Sequence, residues 1–332
     1  MNLSALIRRP ETGSLISLIA VILFYVVFGG VDLVKLMGAA SWLNLAANLG
    51  IVALPLGLLM IAGEIDISIG AMIPAGSMTV AILSGHYGLP IEIGILGALA
   101  LGLCVGLVNG VIATRTTVPT LIITLGTLMA VQGIILSSAM LLTGNASVSI
   151  TPPDWAKTAL GLMIAGKYQV VIWWWLGLAA IFFWVLHVSP VGNWIYAMGG
   201  DQTSARNAGI PTNRLKIALF MLSSTAAAFV GICGAIQFNS AQVSGGMGYI
   251  FNAVCSVVVG GVLLTGGFGS IPGIFLGTIT FAIVSQGIYF TQIDRNWANL
   301  IIGITLLLAV AMNEYFRKLA LSAGTRKKGG KA

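Results

Sequence analysis

Charge is what this chain has least of. Asp, Glu, Lys and Arg together make up 8% of its 332 residues, beside two histidines and three cysteines. With 58% hydrophobic residues and a mean hydropathy of +1.00, that scarcity excludes a soluble globule. Cys104, Cys233 and Cys255 stand inside apolar runs, odd in number and without paired spacing, which argues against a disulfide framework or a metal site. His86 and His187 stand alone near predicted helix ends, whereas a zinc site gathers three or four ligands. A nucleophile–base pair is missing too, which argues against an enzyme. The stretch from Gly260 to Gly273 is rich in glycine, but no Lys-Ser/Thr follows it, so it is not a phosphate loop. Any ATP hydrolysis belongs to another protein, and no cofactor is implied.

What the chain has is long apolar runs. A hydrocarbon core about 30 Å thick needs roughly 20 apolar residues per helix, and unalternating runs of this kind mean helices rather than barrel strands. The predicted class is all-α: a polytopic membrane protein of about ten spans, at 14–30, 42–62, 69–85, 91–113, 120–142, 169–187, 215–238, 251–265, 271–290 and 297–314. The first span follows Arg8 and Arg9 without a small-residue cleavage pattern, so it reads as uncleaved. Residues 1–13 form an N-terminal segment, 14–314 the membrane domain and 315–332 a basic tail.

Ten spans put both termini on one side. Twelve of the sixteen basic residues fall there with them, including Arg8, Arg9, Arg115, Arg206, Arg214, Lys216 and the six of the tail; Lys35, Lys157, Lys167 and Arg295 fall opposite. The positive-inside rule then makes the termini and the 188–214 loop cytoplasmic. The net charge of +7 is mostly topology, and the tail reads as a solvated end near anionic lipid rather than a nucleic-acid site. Tryptophans near span ends read as an interfacial belt.

Several segments hold the chemistry. Gly63-Glu-Ile-Asp-Ile-Ser-Ile-Gly70 joins two spans with no room for a loop. It is either a tight cytoplasmic turn, with Asp66 or Ser68 capping the next helix, or a discontinuous helix on a permeation path. The i, i+2 spacing keeps Glu64 and Asp66 off one helix face, against a catalytic acid pair. The glycine-rich 260–273 stretch joins a later pair of spans in a comparable position, a hint of internal duplication, with Pro272 suited to a first helical turn. Gly102, Gly106 and Gly110, and again Gly273 and Gly277, form small faces for close helix packing. Asn48, Asn109, Gln132, Gln237 and Gln286 are neutral groups within spans. They either bond to neighbouring helices or line a path for an uncharged or zwitterionic solute. Finally, the polar island at 199–216 contains Ser204-Ala-Arg-Asn-Ala, a short helix ended by Gly209 with Pro211 preventing continuation. It is either an ordinary solvated loop or the element on which a separate motor acts.

Four motifs together resemble the membrane permeases of bacterial ABC importers for simple sugars, the ribose-type group. They are Gly63 to Gly70, Val118-Pro-Thr-Leu-Ile-Ile-Thr-Leu-Gly-Thr, Tyr196-Ala-Met-Gly-Gly-Asp through Ser204-Ala-Arg-Asn-Ala-Gly-Ile, and Val259-Gly-Gly through Gly267-Phe-Gly-Ser-Ile-Pro-Gly. The resemblance covers roughly 40–315. It implies a bacterial inner-membrane permease with a second permease copy or relative, two cytoplasmic ATP-binding subunits and a periplasmic solute-binding protein. It also implies that Ala205, Arg206, Asn207, Ala208, Gly209 and Ile210 dock the ATPase. Path or gate candidates are Glu64, Asp66, Ser68, Asn109, Gln132, Asn252, Gly267 and Gly269. Departures at Glu64, at Gln132 and in Gly248-Tyr-Ile-Phe-Asn-Ala bear on the solute more than on transport. The expected function is import of a monosaccharide or related small polar solute. Rival expectations are the same machinery carrying branched-chain amino acids or a sugar-derived signalling molecule, and an ion-coupled transporter using Glu64 and Asp66.

Overall fold

The computed structural model describes residues 10–291, 295–297, 299–304, 306–308 and 310–311. The predicted basic tail, most of the N-terminal segment and part of the tenth span lie outside these residues. Among the described residues, seven helices are long and apolar enough to cross a membrane. These are α1 (Pro10–Gly29), α2 (Leu36–Ile61), α3 (Ile69–Val80, wound on as a π-helical turn to His86), α4 (Ile91–Arg115), α5 (Thr120–Thr143), α10 (Thr212–Phe238) and α12 (Ile271–Gly287, extended to Phe290). A bent pair, α7 (Val171–His187) and α8 (Pro190–Gly200), meets at 72° and makes an eighth candidate. Shorter pieces include α6 (Asp154–Ala156), α9 (Gln202–Asn207), α11 (Met247–Val259) and two small antiparallel ribbons, β1 (Ser147–Ser149) with β4 (Ser240–Gln242) and β2 (Met163–Ile164) with β3 (Tyr168–Gln169).

Two expectations need correction. The predicted eighth span, 251–265, is a 13-residue helix followed by coil, so it is too short to cross as a helix. The predicted 188–214 loop is mostly helical: Ser189 accepts from the Val191 amide with Pro190 in the first turn, the sequence signature of a new helix start.

Helix α2 is central, and every residue from Leu49 to Ile61 is buried. Packing is set by small residues, as lipid offers no hydrophobic drive between helices. Gly102, Gly106 and Gly110 of α4 lie against the backbone of Thr225, Met221 and Ile217 of α10, one turn per step in antiparallel register. Gly273 and Gly277 of α12 bring their backbone onto Gly260 and the Ser256 carbonyl. The outer helix α5 exposes Leu121, Leu125, Met129, Leu136 and Met140, an apolar face suited to lipid. Trp175 departs from the belt: it is wholly buried, stacked on Phe275 at 4.1 Å and pressed against Gly50.

The elements have two ends. At one, the β2–β3 ribbon (Met163–Ile164 with Tyr168–Gln169) sits over the start of α2, and Ser147–Ser149 pairs with Ser240–Gln242. Glu64, Arg115, Arg206 and Lys216 gather at the other.

A Cβ on Gly106 would come within 2.6 Å of the Met221 Cα and the Phe220 carbonyl, whereas Gly126 on α5 has nothing within 4 Å. Gly106→Val is therefore expected to lower stability by about 1–3 kcal/mol, and Gly126→Val much less. Thermal melts of the detergent-purified variants check this; equal melting points would contradict the α4–α10 seam.

Candidate functional site

Helices α2 and α11 end alike. Gly63 (φ +88°) and Gly261 (φ +89°) take the left-handed position that glycine fills without strain. In each helix the next two amides turn back on the closing carbonyls: Gly63 and Glu64 donate to Met60 and Leu59, and Gly261 and Val262 to Val258 and Val257. The Ile61 carbonyl is left over, and Gly267 of the second break donates to it at 2.8 Å. Gly199, at the end of α8, lies against this same bond, since a Cβ there would strike the Ile61 oxygen and the Gly267 nitrogen. The Tyr196 hydroxyl, also on α8, donates to the Gly269 carbonyl at 2.7 Å. The two helix breaks and the end of α8 thus form one contact.

Beyond the first break, Asp66 is fully buried. Its Oδ1 accepts from the Ser68 amide (2.9 Å) and hydroxyl (2.5 Å), and its Oδ2 from the Ser224 hydroxyl (3.4 Å). The chain of bonds continues: Asn109 donates to Ser68 at 3.0 Å, and Thr127 donates to Asn109 at 2.5 Å. Asp66 therefore closes a turn within the break; neither it nor Ser68 makes a side-chain cap on α3. Glu64 points elsewhere and pairs with Lys216 of α10, both largely buried.

Two cavities flank this layer. One, of about 630 Å³, is lined by Gly63, Glu64, Thr116, Gln202, Arg206 and Lys216 among others. The other, of about 540 Å³, lies among α2, α3, α10 and the β2–β3 ribbon and has no charged residue in its lining. Helix α10 runs through all three levels. At about 1.5 Å per residue, Ser224 lies about 12 Å from Lys216, and Val230, on the uncharged cavity, about 9 Å further.

The charged cavity is bordered by α9. Asp201 caps it by accepting from the Ser204 amide at 2.6 Å. That amide and the Ser204 hydroxyl hold the Asp201 carboxyl below the usual range. Ala205 is the buried anchor; Arg206, Asn207, Ala208 and Gly209 are exposed, and Ile210 is half-buried. Gly209 has φ +85°, so the helix stops where the sequence predicts. Arg206 donates to Asn213 at 3.0 Å, fixing the turn to the start of α10.

The structure joins Asp66, Ser68 and Asn109 in one network and brings Gly267 and Gly269 to the crossing. Gln132 lies apart, donating to Met247 sulfur at 3.1 Å, and Asn252 accepts at its carbonyl from Ser256. Neither joins the network or lines a cavity described above. Sequence reasoning missed Asn44, Gln169, Gln242 and Lys216; the i, i+4 pair Asn44 and Asn48 on one helix face was the available signal.

Residues 38–310 match the family described as branched-chain amino acid transport system / permease component. Three curated relatives align over most of their length. The fructose import permease protein FrcC of Rhizobium meliloti is 28% identical over 92% of this chain and 85% of its own. The ribose import permease protein RbsC of Escherichia coli K12 is 28% identical over 79% and 81%. The galactose/methyl galactoside import permease protein MglC of the same strain is 26% identical over 96% and 99%.

Removing one partner of a buried ion pair strands the other charge, at a cost of about 3–5 kcal/mol, whereas removing both is often nearly neutral. Lys216→Met is expected to destabilise the protein strongly, and Glu64→Gln with Lys216→Met to recover most of the loss. A double-mutant cycle of melting curves measures the coupling; additive losses would show that the pair is not coupled.

Proposed function

The chain belongs to the branched-chain amino acid transport system / permease component family, and on that premise we propose that it forms the translocation path of an ATP-driven monosaccharide importer. Relatives named for ribose, fructose and galactose import support the cargo. So does the uncharged cavity, since an amino acid would bring a carboxylate and an ammonium to be neutralised. Glu64 and Asp66, the two acids an ion-coupled mechanism would use, are both already engaged, which argues against ion coupling.

The observation that carries the coupling is the contact of Gly199 with the Ile61–Gly267 bond. Cytoplasmic ATP-binding subunits press on Ala205 to Ile210. One Asp201 turn away, α8 passes the displacement to both helix breaks together, and access alternates between the two cavities. A periplasmic binding protein delivers solute at the ribbon end. The distribution of basic residues supports a cytoplasmic location for α9 in a bacterial inner membrane. The working assembly has two ATP-binding subunits and a second permease copy or relative.

Tagged chain purified from its own host in mild detergent is expected to bring down an ATPase and a secreted binding protein. Arg206→Glu is expected to reduce ATPase recovery about tenfold, while Lys167→Glu at the ribbon end leaves it intact. The reverse pattern would turn the topology over, and a chain recovered alone under conditions that preserve other complexes would sink the importer reading.

A further inference from the structure

We propose that the uncharged cavity is a sugar-binding site within the permease itself, built to hold one neutral, polyhydroxylated ring. The inference rests on the importer reading above and goes beyond it, because it gives the membrane subunit its own share of solute selection.

The size suits a single sugar ring, since about 540 Å³ falls within the roughly 300–1,000 Å³ of small-molecule sites. The lining is chemically unusual for a membrane interior. Five amide side chains, Asn44, Asn48, Gln169, Gln237 and Gln242, face one space with Tyr249 and without any charged group. Helix–helix adhesion does not account for them, because most of their bonds run to the ribbon that roofs the cavity. Asn44 donates to the Lys167 carbonyl at 2.8 Å and accepts from the Gln169 amide at 2.9 Å. Asn48 donates to the Asn44 carbonyl at 2.9 Å and to Gln169 Oε1 at 2.6 Å.

These bonds orient the remaining valences. Both hydrogens of Asn48 are spent, so its Oδ1 is left to accept. The Gln169 Oε1 takes one bond and keeps a second lone pair, and its NH2, which has no bond among the described residues, is left to donate. Among the described residues, the one side-chain partner of Gln237 is the Met163 sulfur at 3.6 Å, which leaves its carbonyl oxygen to accept. Donors and acceptors thus face one space together. A hydroxyl group donates and accepts at once, and a ring of hydroxyls meets such a wall without proton transfer or charge. The Tyr249 ring and the apolar wall of α3 offer a surface for the C–H face of the same ring. An inorganic ion would find no counter-charge here, and a zwitterion would leave both charges unpaired. Because the ribbon holds the amides in place before solute arrives, little ordering is left to the moment of binding.

The test uses right-side-out membrane vesicles from the host, carrying the whole complex and loaded with ATP, with host periplasmic fraction outside. Uptake of radiolabelled D-ribose, D-fructose and D-galactose is compared with that of L-leucine. Wild-type vesicles are expected to accumulate a sugar. Asn48→Leu and Gln169→Leu are each expected to cut that uptake about tenfold or more, the loss of at least one buried hydrogen bond. Gln237→Asn is expected to change the ratio of uptake between two sugars, which a folding defect alone does not do. Co-purification of the ATPase reports whether each variant assembles. Should a leucine variant fail to assemble, Gln237→Cys provides an independent reading: the transported sugar is expected to slow labelling of the introduced thiol by a hydrophilic maleimide, with the unsubstituted chain as the background. Assembled variants that keep the wild-type rate and sugar ratio, or an introduced thiol that sugar leaves unprotected, overturn the site while the importer reading stands. Wild-type uptake of leucine and of none of the sugars overturns both.

Discussion

A peptide group buried in a membrane has no water to bond, so every interruption of a helix must find partners within the protein. This chain interrupts its central helix at Gly63 and a second helix at Gly260–Gly261, and each end turns its amides back onto its own last carbonyls. The Ile61 carbonyl, which this closure leaves over, is met by Gly267 from the other break. The first break is therefore not self-sufficient. The joint closure of the two also requires a third backbone with no side chain in the way, and Gly199 provides it. A displacement of α8 therefore bears on the ends of both interrupted helices at once.

The same constraint governs the charges. Asp66 is enclosed without a cation beside it among the described residues, and hydroxyls and an amide from Ser68 and Ser224 take up its lone pairs. Glu64, two residues earlier, meets Lys216 at the edge of an open cavity. Residues 64–67 are neither helix nor strand, and the two acids leave this irregular segment for different partners: Asp66 for Ser68 and Ser224, Glu64 for Lys216. Replacing either by an apolar residue would leave different debris behind, unbonded hydroxyls in one case and a stranded ammonium in the other.

Much of this was legible in the sequence, and the reasons are local. Apolar runs near 20 residues and the four-residue glycine repeat at 102, 106 and 110 act through helix periodicity, which a sequence displays directly. The short helix ended by Gly209 was readable because a left-handed glycine followed by Pro211 has one common outcome. The spans misjudged were those where length and hydropathy do not decide. Residues 251–265 are apolar enough to cross, but Gly260 and Gly261 end the helix after 13 residues. Trp175 sits near a span end, yet it is buried because Gly50 leaves room for an indole against α2. The cavity was hidden for a different reason. Asn44 and Gln169 are 125 residues apart, and the ribbon that joins them is two residues wide on each side. No periodicity announces a contact of that range.

The position of the network relative to the cavities gives the architecture its direction. Helix α10 presents a cation to one cavity, hydroxyls to Asp66 and small residues to the uncharged cavity, in that order along one rigid rod. Its register against α4 is fixed by three glycine contacts, so the rod has little freedom to slide by fractions of a turn. Helix α3 starts from the Asp66 turn and contributes Ile73, Pro74 and Ser77 to the uncharged cavity. It is seated on α10 as closely as α4 is, since Gly76 lies against the Ala228 backbone and Gly231 against the Ile73 carbonyl. A shift at the double break would therefore reach the uncharged cavity through α3 and α10 as one unit, whereas Asn48 and Gln169 keep the orientation that the ribbon bonds give them.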